Sequence, residues 1–157
     1  MSGDLTRAIE AIAAMGIEHR VVRTQWAHSA EESAALQGIE LGQLLRTIVV
    51  RRGEDDYVFV LVPGGRRLDW PKLRAHLGIR RMSLPDAEEA RAATGYERGA
   101  ITPFGARRAW PVILDAAATH QATVAIGGGA HGVNVHLAPS VLADGLGAEI
   151  VDVTTVG

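Results

Sequence analysis

Apolar positions along this chain recur with two periods, and each period predicts a different element. From residue 4 to 15, "DLTRAIEAIAAM", Leu5, Ala8, Ile9, Ile12 and Ala13 fall on one helical face, and Gly16 supplies the stop. "IEHRVVR" then alternates as a strand does. "HSAEESAALQG" places Ser29 and Glu32 three apart, a capping box ahead of a short helix that ends at Gly38. "RTIVVRR" and "YVFVLVP" are β-branched and aromatic runs on either side of "GEDD", which predicts a hairpin with a four-residue turn. That turn pairs Arg52 with Tyr57 and sets Arg46 opposite Pro63. Both faces of both runs are apolar, so the hairpin is expected to be central.

Further helices are predicted at "LDWPKLRAHL", stopped by Gly78, at "PDAEEARAAT", stopped by Gly95, and at "PSVLADGL". Strand-like runs lie at "WPVILDAA", "ATVAI", "VNVHLAP" and "AEIVDVT". Between the two groups "GYERGAITPFGARR" is irregular, punctuated by Gly95, Gly99, Pro103 and Gly105. There is no internal repeat and no low-complexity segment. Hairpins with helices between them predict one α+β or mixed α/β domain over residues 1–157.

Composition narrows the function classes. An apolar share of 47%, a charged share of 22% and a formal charge of −2 describe an ordinary globular protein. A protein that coats nucleic acid or membrane through bulk charge is excluded, so any contact with nucleic acid must come from a local patch. The absence of cysteine removes disulfides, thiol nucleophiles and thiolate metal sites, and suits a reducing compartment. The start "MSGDLTRAIE" has no basic region ahead of an apolar core, and no run approaches the ~18 apolar residues of a membrane span. A cytoplasmic protein with no membrane partner is expected. Of the sixteen basic residues only Lys72 is lysine, so arginine here can stand where a relative has lysine.

Most chemical motifs fail on context. "GGGAHG", residues 127–132, matches G-x-G-x-x-G, but a strand rather than a helix follows it, and a dinucleotide needs the helix N-terminus. A glycine-rich β-turn explains it. The lone lysine follows Pro71, which rules out a P-loop. His131 and His136, five apart on one predicted strand, point to opposite faces, the wrong arrangement for joint metal binding. None of the five serines lies in a G-x-S-x-G elbow. The acid pairs Asp55/Asp56, Glu31/Glu32 and Glu88/Glu89 fit solvated faces. What remains is the loop "ERGAITPFG". It is either a connection shaped by Gly and Pro, or a set of exposed backbone N–H groups able to bind a carbonyl oxygen or an anion.

Five segments taken in order carry a resemblance: "HSAEESA" at 28–34, "LLRTIVV" at 44–50, "GGRRLDWPKLRAHLG" at 64–78, "TGYERGAITPFG" at 94–105 and "GGGAHGVNVHLAP" at 127–139. They resemble the YbaK/ProX family, free-standing relatives of the editing insertion domain of bacterial prolyl-tRNA synthetase. The resemblance implies a mixed, barrel-like sheet flanked by helices, and hydrolysis of the ester of a mischarged aminoacyl-tRNA, most of all on tRNA-Pro. It implies no cofactor, a tRNA 3′ end as partner, and an aminoacyl-tRNA synthetase as a further one. The family's G-x-x-x-P loop matches Gly99, Ala100, Ile101, Thr102 and Pro103, which would line the pocket for the aminoacyl group and the terminal adenosine. The glycine stretch matches a substrate-binding loop and brings in Gly128 and Gly129. His28 falls where the family often has a histidine. The implied mechanism is attack by water without a protein nucleophile, the oxyanion being held by backbone amides around Gly99.

Arg46 is the departure, for the family has lysine at this strand start. An arginine cannot supply a neutral amine, whereas a role that needs only a cation survives with altered geometry. Arg46 is therefore either a working cation of the site, a surface charge, or the mark of a non-catalytic module that binds tRNA ends or a small ligand. The pairs Arg66/Arg67, Arg80/Arg81 and Arg107/Arg108 are expected phosphate contacts, or else scattered solubilising charges.

Overall fold

A computed structural model of the chain describes residues 6–157, arranged as an α+β domain. Helix α1 (Arg7–Met15) is capped by the Thr6 hydroxyl, which accepts from the Ile9 N–H, and ends on Gly16 in the left-handed conformation. Leu5, expected on its apolar face, lies outside the described residues. Then come β1 (Arg20–Arg23), α2 (Ala30–Gln37), a 3-10 turn at Leu41–Gln43 and the hairpin of β2 (Leu45–Gly53) with β3 (Asp56–Pro63). The chain continues through β4 (Arg66–Leu68), α3 (Trp70–Leu77), α4 (Ala87–Thr94), β5 (Val112–Asp115), a 3-10 turn at Ala116–His120, β6 (Val124–Gly127) and β7 (Val133–Leu137). It closes with α5 (Pro139–Leu146), β8 (Glu149–Val151) and β9 (Thr154–Val156). None of the described helices is long and apolar enough to cross a membrane.

The strands form three sheets: β2-β3-β5-β8, mixed; β1-β7-β6, antiparallel; and the pair β4-β9. They do not close into a barrel. The first two sheets meet at one parallel bridge, Leu44 to Ala125, so the walls converge there and diverge on either side. β3 is interior and buried on both faces, while β2 forms the edge of its sheet rather than the centre. Tyr57, Phe59 and Leu61 point into the larger core with Ile9, Ile12, Phe104, Ile126 and Leu142. Val58, Val60 and Val62 point into a second core with Leu73 of α3 and Val153.

Two expectations are corrected. The hairpin turn has two residues, Glu54 and Asp55, with Asp55 at φ 52, and a bulge between Arg51 and Gly53 shifts the register. Arg51, not Arg52, therefore faces Tyr57, and Arg46 faces Val62 while Leu45 faces Pro63. "AEIVDVT" is two strands rather than one. The buried Asp115 carboxylate accepts the Val153 N–H at 3.0 Å, which pulls the chain off the edge of β5 and redirects it to pair with β4.

Candidate functional site

A cavity of about 770 Å³ opens where the two larger sheets diverge beyond the Leu44 bridge. The start of β2 (Leu45 to Val49) forms its floor, the segment before α2 one side, the 98–101 loop another, and the turn before β7 closes it. Its lining includes Arg46, Arg98, His28 and His131 and, among the described residues, no aspartate or glutamate. A wall with cations and no carboxylate favours an anionic ligand through an unopposed field.

Four of the expected residues, His28, Arg46, Gly99 and Ile101, line this cavity. They come from three separated segments and meet only in the fold. His28 is exposed just ahead of α2. Ser29 caps that helix by accepting the Glu32 N–H at 3.0 Å, but the return bond of the box is displaced by one residue: Glu32 Oε1 accepts the N–H of His28, at 2.6 Å. That bond holds the backbone of His28 at the cavity rim. Arg46 is exposed, and its Nη2 donates to the Arg66 carbonyl at 3.0 Å, so the guanidinium bridges β2 to the start of β4.

The 98–103 loop is divided between surface and core. Thr102 and Phe104 are fully buried, and the Tyr96 hydroxyl donates to the Phe104 carbonyl at 2.6 Å. Ala100 is buried and its N–H donates to the Glu97 carbonyl. Ala100, Thr102 and Pro103 are thus outside the cavity lining and serve as anchors, while Arg98 and Gly99 stay exposed. Gly99 has φ +90, and a Cβ there would lie 3.0 Å from His131 Cε1. Its amide donates to no group among the described residues. Gly128 and Gly129 also lie outside the lining. Gly128 closes the turn, its N–H on the Val133 carbonyl at 2.7 Å, and Gly129 packs against Tyr96 and Ala8; Gly127, Ala130, His131 and Gly132 face the cavity instead.

Three lining residues were not singled out from the sequence. Trp26, 63% exposed, stacks on the His131 ring with centroids 4.1 Å apart and planes 14° from parallel, which leaves an open aromatic face at the mouth. Thr47 lines the cavity, and its buried hydroxyl has no hydrogen-bond partner among the described residues. Arg98 has none among the described residues either. His131 belongs to the turn rather than to β7, so it and His136 do not share a strand. His136 is buried against Gln37, its Nε2 and the Gln37 Oε1 at 2.9 Å, and burial followed by the nearby Arg20 holds its pKa below the usual histidine value.

Residues 24–144, which include every part of this cavity, match the family described as the aminoacyl-tRNA editing domain. The chain belongs to that family. Among relatives of this editing domain, a candidate Cys-tRNA(Pro)/Cys-tRNA(Cys) deacylase, EbsC of Enterococcus faecalis, is 28% identical over 127 residues, 81% of this chain and 77% of the relative. A proline–tRNA ligase of Thermosipho melanesiensis is 29% identical over 76% of this chain but only 22% of the ligase, so the editing domain spans about a fifth of that enzyme. A solved candidate trans-editing enzyme for prolyl-tRNA synthetase superposes with a TM-score of 0.85 at 26% identity, covering 95% of each chain. The expected kinship with YbaK/ProX-type editing proteins and their fold is therefore established.

Proposed function

We propose that this editing domain hydrolyses the ester of a mischarged aminoacyl-tRNA in trans, with tRNA-Pro as the first tRNA to test. The observation that carries the reading is this cavity, whose lining among the described residues holds Arg46, Arg98, Thr47 and Gly99 and no carboxylate, the Gly99 amide donating to none of those residues. The open Trp26 face suits a nucleobase, since every base has a face to stack. The arginines suit the phosphate beside it.

A water molecule attacks the ester carbonyl carbon. The carbonyl oxygen gains charge, and in this reading the Gly99 N–H donates to it, because electrostatic stabilisation matters most where charge develops. The attacking water gives up a proton, which passes through the neighbouring ribose hydroxyl to the departing oxygen as the C–O bond to the ribose breaks and the carbonyl re-forms. Free amino acid and free tRNA leave. No protein nucleophile is required, because the aminoacyl ester is already reactive and the site chiefly has to position it.

A second reading is favoured by Arg46 itself. Its guanidinium already donates to the Arg66 carbonyl, and it stands where the resembled family has lysine, so a module that binds tRNA ends without turnover is the competitor. Incubation with a panel of mischarged tRNAs, beginning with tRNA-Pro carrying cysteine or another noncognate amino acid, separates the two. Ester loss well above the spontaneous rate on at least one member is expected. Background rates on all of them, with tRNA still bound, would leave the binding module.

A further inference from the structure

Helix α4 borders a second cavity on another of its faces. Ala87 and Ala90 line the substrate cavity, whereas Glu88, Arg91, Ala92 and Gly95 line a notch of about 410 Å³ completed by Arg7 and Arg107. Among the described residues three arginines from three segments meet one carboxylate there, in a chain whose overall charge is −2. None of the three forms an ion pair among the described residues.

Two of these arginines are already oriented. Arg7 Nη2 donates to the Gly105 carbonyl at 2.6 Å, and its guanidinium carbon lies 5.6 Å from the centre of the Tyr96 ring. Arg107 Nη1 donates to the Ala92 carbonyl at 3.3 Å. Gly95, at φ +83, leaves room for Arg7: a Cβ would fall 2.9 Å from its Nη1. Arg91 is exposed at the rim, with no partner among the described residues. Cations held in place before binding lose less side-chain freedom when an anion arrives.

We infer that this notch binds a backbone phosphate of the acceptor strand whose 3′ end occupies the main cavity, an inference that rests on the aminoacyl-tRNA reading above. A helix is about 10 Å across, and a nucleic-acid strand carries a phosphate about every 3.4 Å of rise. The span around α4 therefore corresponds to a few nucleotides from the end. The competing explanation is that Arg7 and Arg107 serve only the carbonyls around the α4 C-terminus, which leaves Arg91 without a task.

The test is binding of uncharged tRNA across a salt series by wild type, Arg91→Ala, Arg91→Glu and Glu88→Gln, alongside hydrolysis of a 3′-aminoacyl adenosine that has no upstream phosphate. Arg91→Ala is expected to weaken tRNA binding and to reduce the slope of log affinity against log salt by about one, the signature of one lost phosphate contact. Arg91→Glu weakens it further, Glu88→Gln strengthens it, and all three leave hydrolysis of the short ester unchanged. Unchanged tRNA affinity and slope in the Arg91 variants would overturn the inference, as would an equal loss on the short ester. If wild type hydrolyses neither mischarged tRNA nor the short ester, the deacylase reading fails while the salt slope still decides the notch.

Discussion

Gly99 shows how one residue can join backbone freedom to chemistry. Its φ of +90 disfavours any side chain by about 1–3 kcal/mol, and a Cβ there would press on the His131 ring at 3.0 Å. Gly99→Ala should therefore shift the Trp26–His131 stack and lower deacylation at least tenfold with a modest loss of stability; because alanine keeps the amide N–H, wild-type activity in a correctly folded variant would mean that hydrolysis does not depend on the glycine conformation of the loop. Thr47 makes the opposite case. A buried hydroxyl without a partner is a stability liability of about 1–3 kcal/mol, so Thr47→Val should melt no lower than wild type. If the hydroxyl meets substrate, the same variant loses activity by up to about tenfold, the value of one hydrogen bond. A variant that loses stability and keeps full activity would assign Thr47 to the core. Arg46→Lys against Arg46→Ala resolves the third residue: retained activity in the lysine variant and a deficit in the alanine variant indicate a cation of the site, and activity appearing only with lysine indicates a retired enzyme.

At the scale of elements, the helices were legible because glycine and short polar caps punctuate them. Ser29, Asp69 and Asp86 each accept an N–H at a helix start, and Gly16, Gly38, Gly78 and Gly95 end helices in the left-handed conformation. The hairpin register was not legible. With apolar residues on both faces of β2 and β3, no alternation reports a one-residue slip, so the bulge at Arg51–Gly53 is invisible in the pattern. The split between β8 and β9 depends on Asp115, forty residues upstream in round terms, and no local signal carries it. The 98–103 loop was recognised as special, yet its division of labour was not, because burial of Thr102 and Phe104 is set by tertiary packing. Phe104→Ala should cost about 3–5 kcal/mol by emptying the fully buried site beneath the loop; denaturant melts check this, and a loss under 1 kcal/mol would mean that Phe104 does not anchor it.

Across the whole molecule, the site exists because two sheets diverge beyond the Leu44–Ala125 bridge, and the residues that face each other there are far apart in sequence. Trp26 joined to His131 is a product of β1 pairing with β7; the only sequence cue was an aromatic residue within the polar stretch "RTQWAHS". The same sheet carries a pH dependence. His136 is held neutral, its folded pKa below the unfolded value near 6.5, so its contribution is present above that value and is lost as pH falls through it. The melting temperature should fall from pH 7 to 5, and His136→Gln should flatten that slope; an equal slope in both proteins would move the effect elsewhere. Cleavage of an aminoacyl ester in the cavity between the sheets is the activity proposed for the molecule. It is tested most directly by the first-order decay of noncognate aminoacyl-tRNA-Pro with wild type and Gly99→Ala in parallel: acceleration well above the spontaneous rate by wild type, largely absent in the variant, is the predicted result, and equal rates for wild type, variant and buffer across the panel would contradict it.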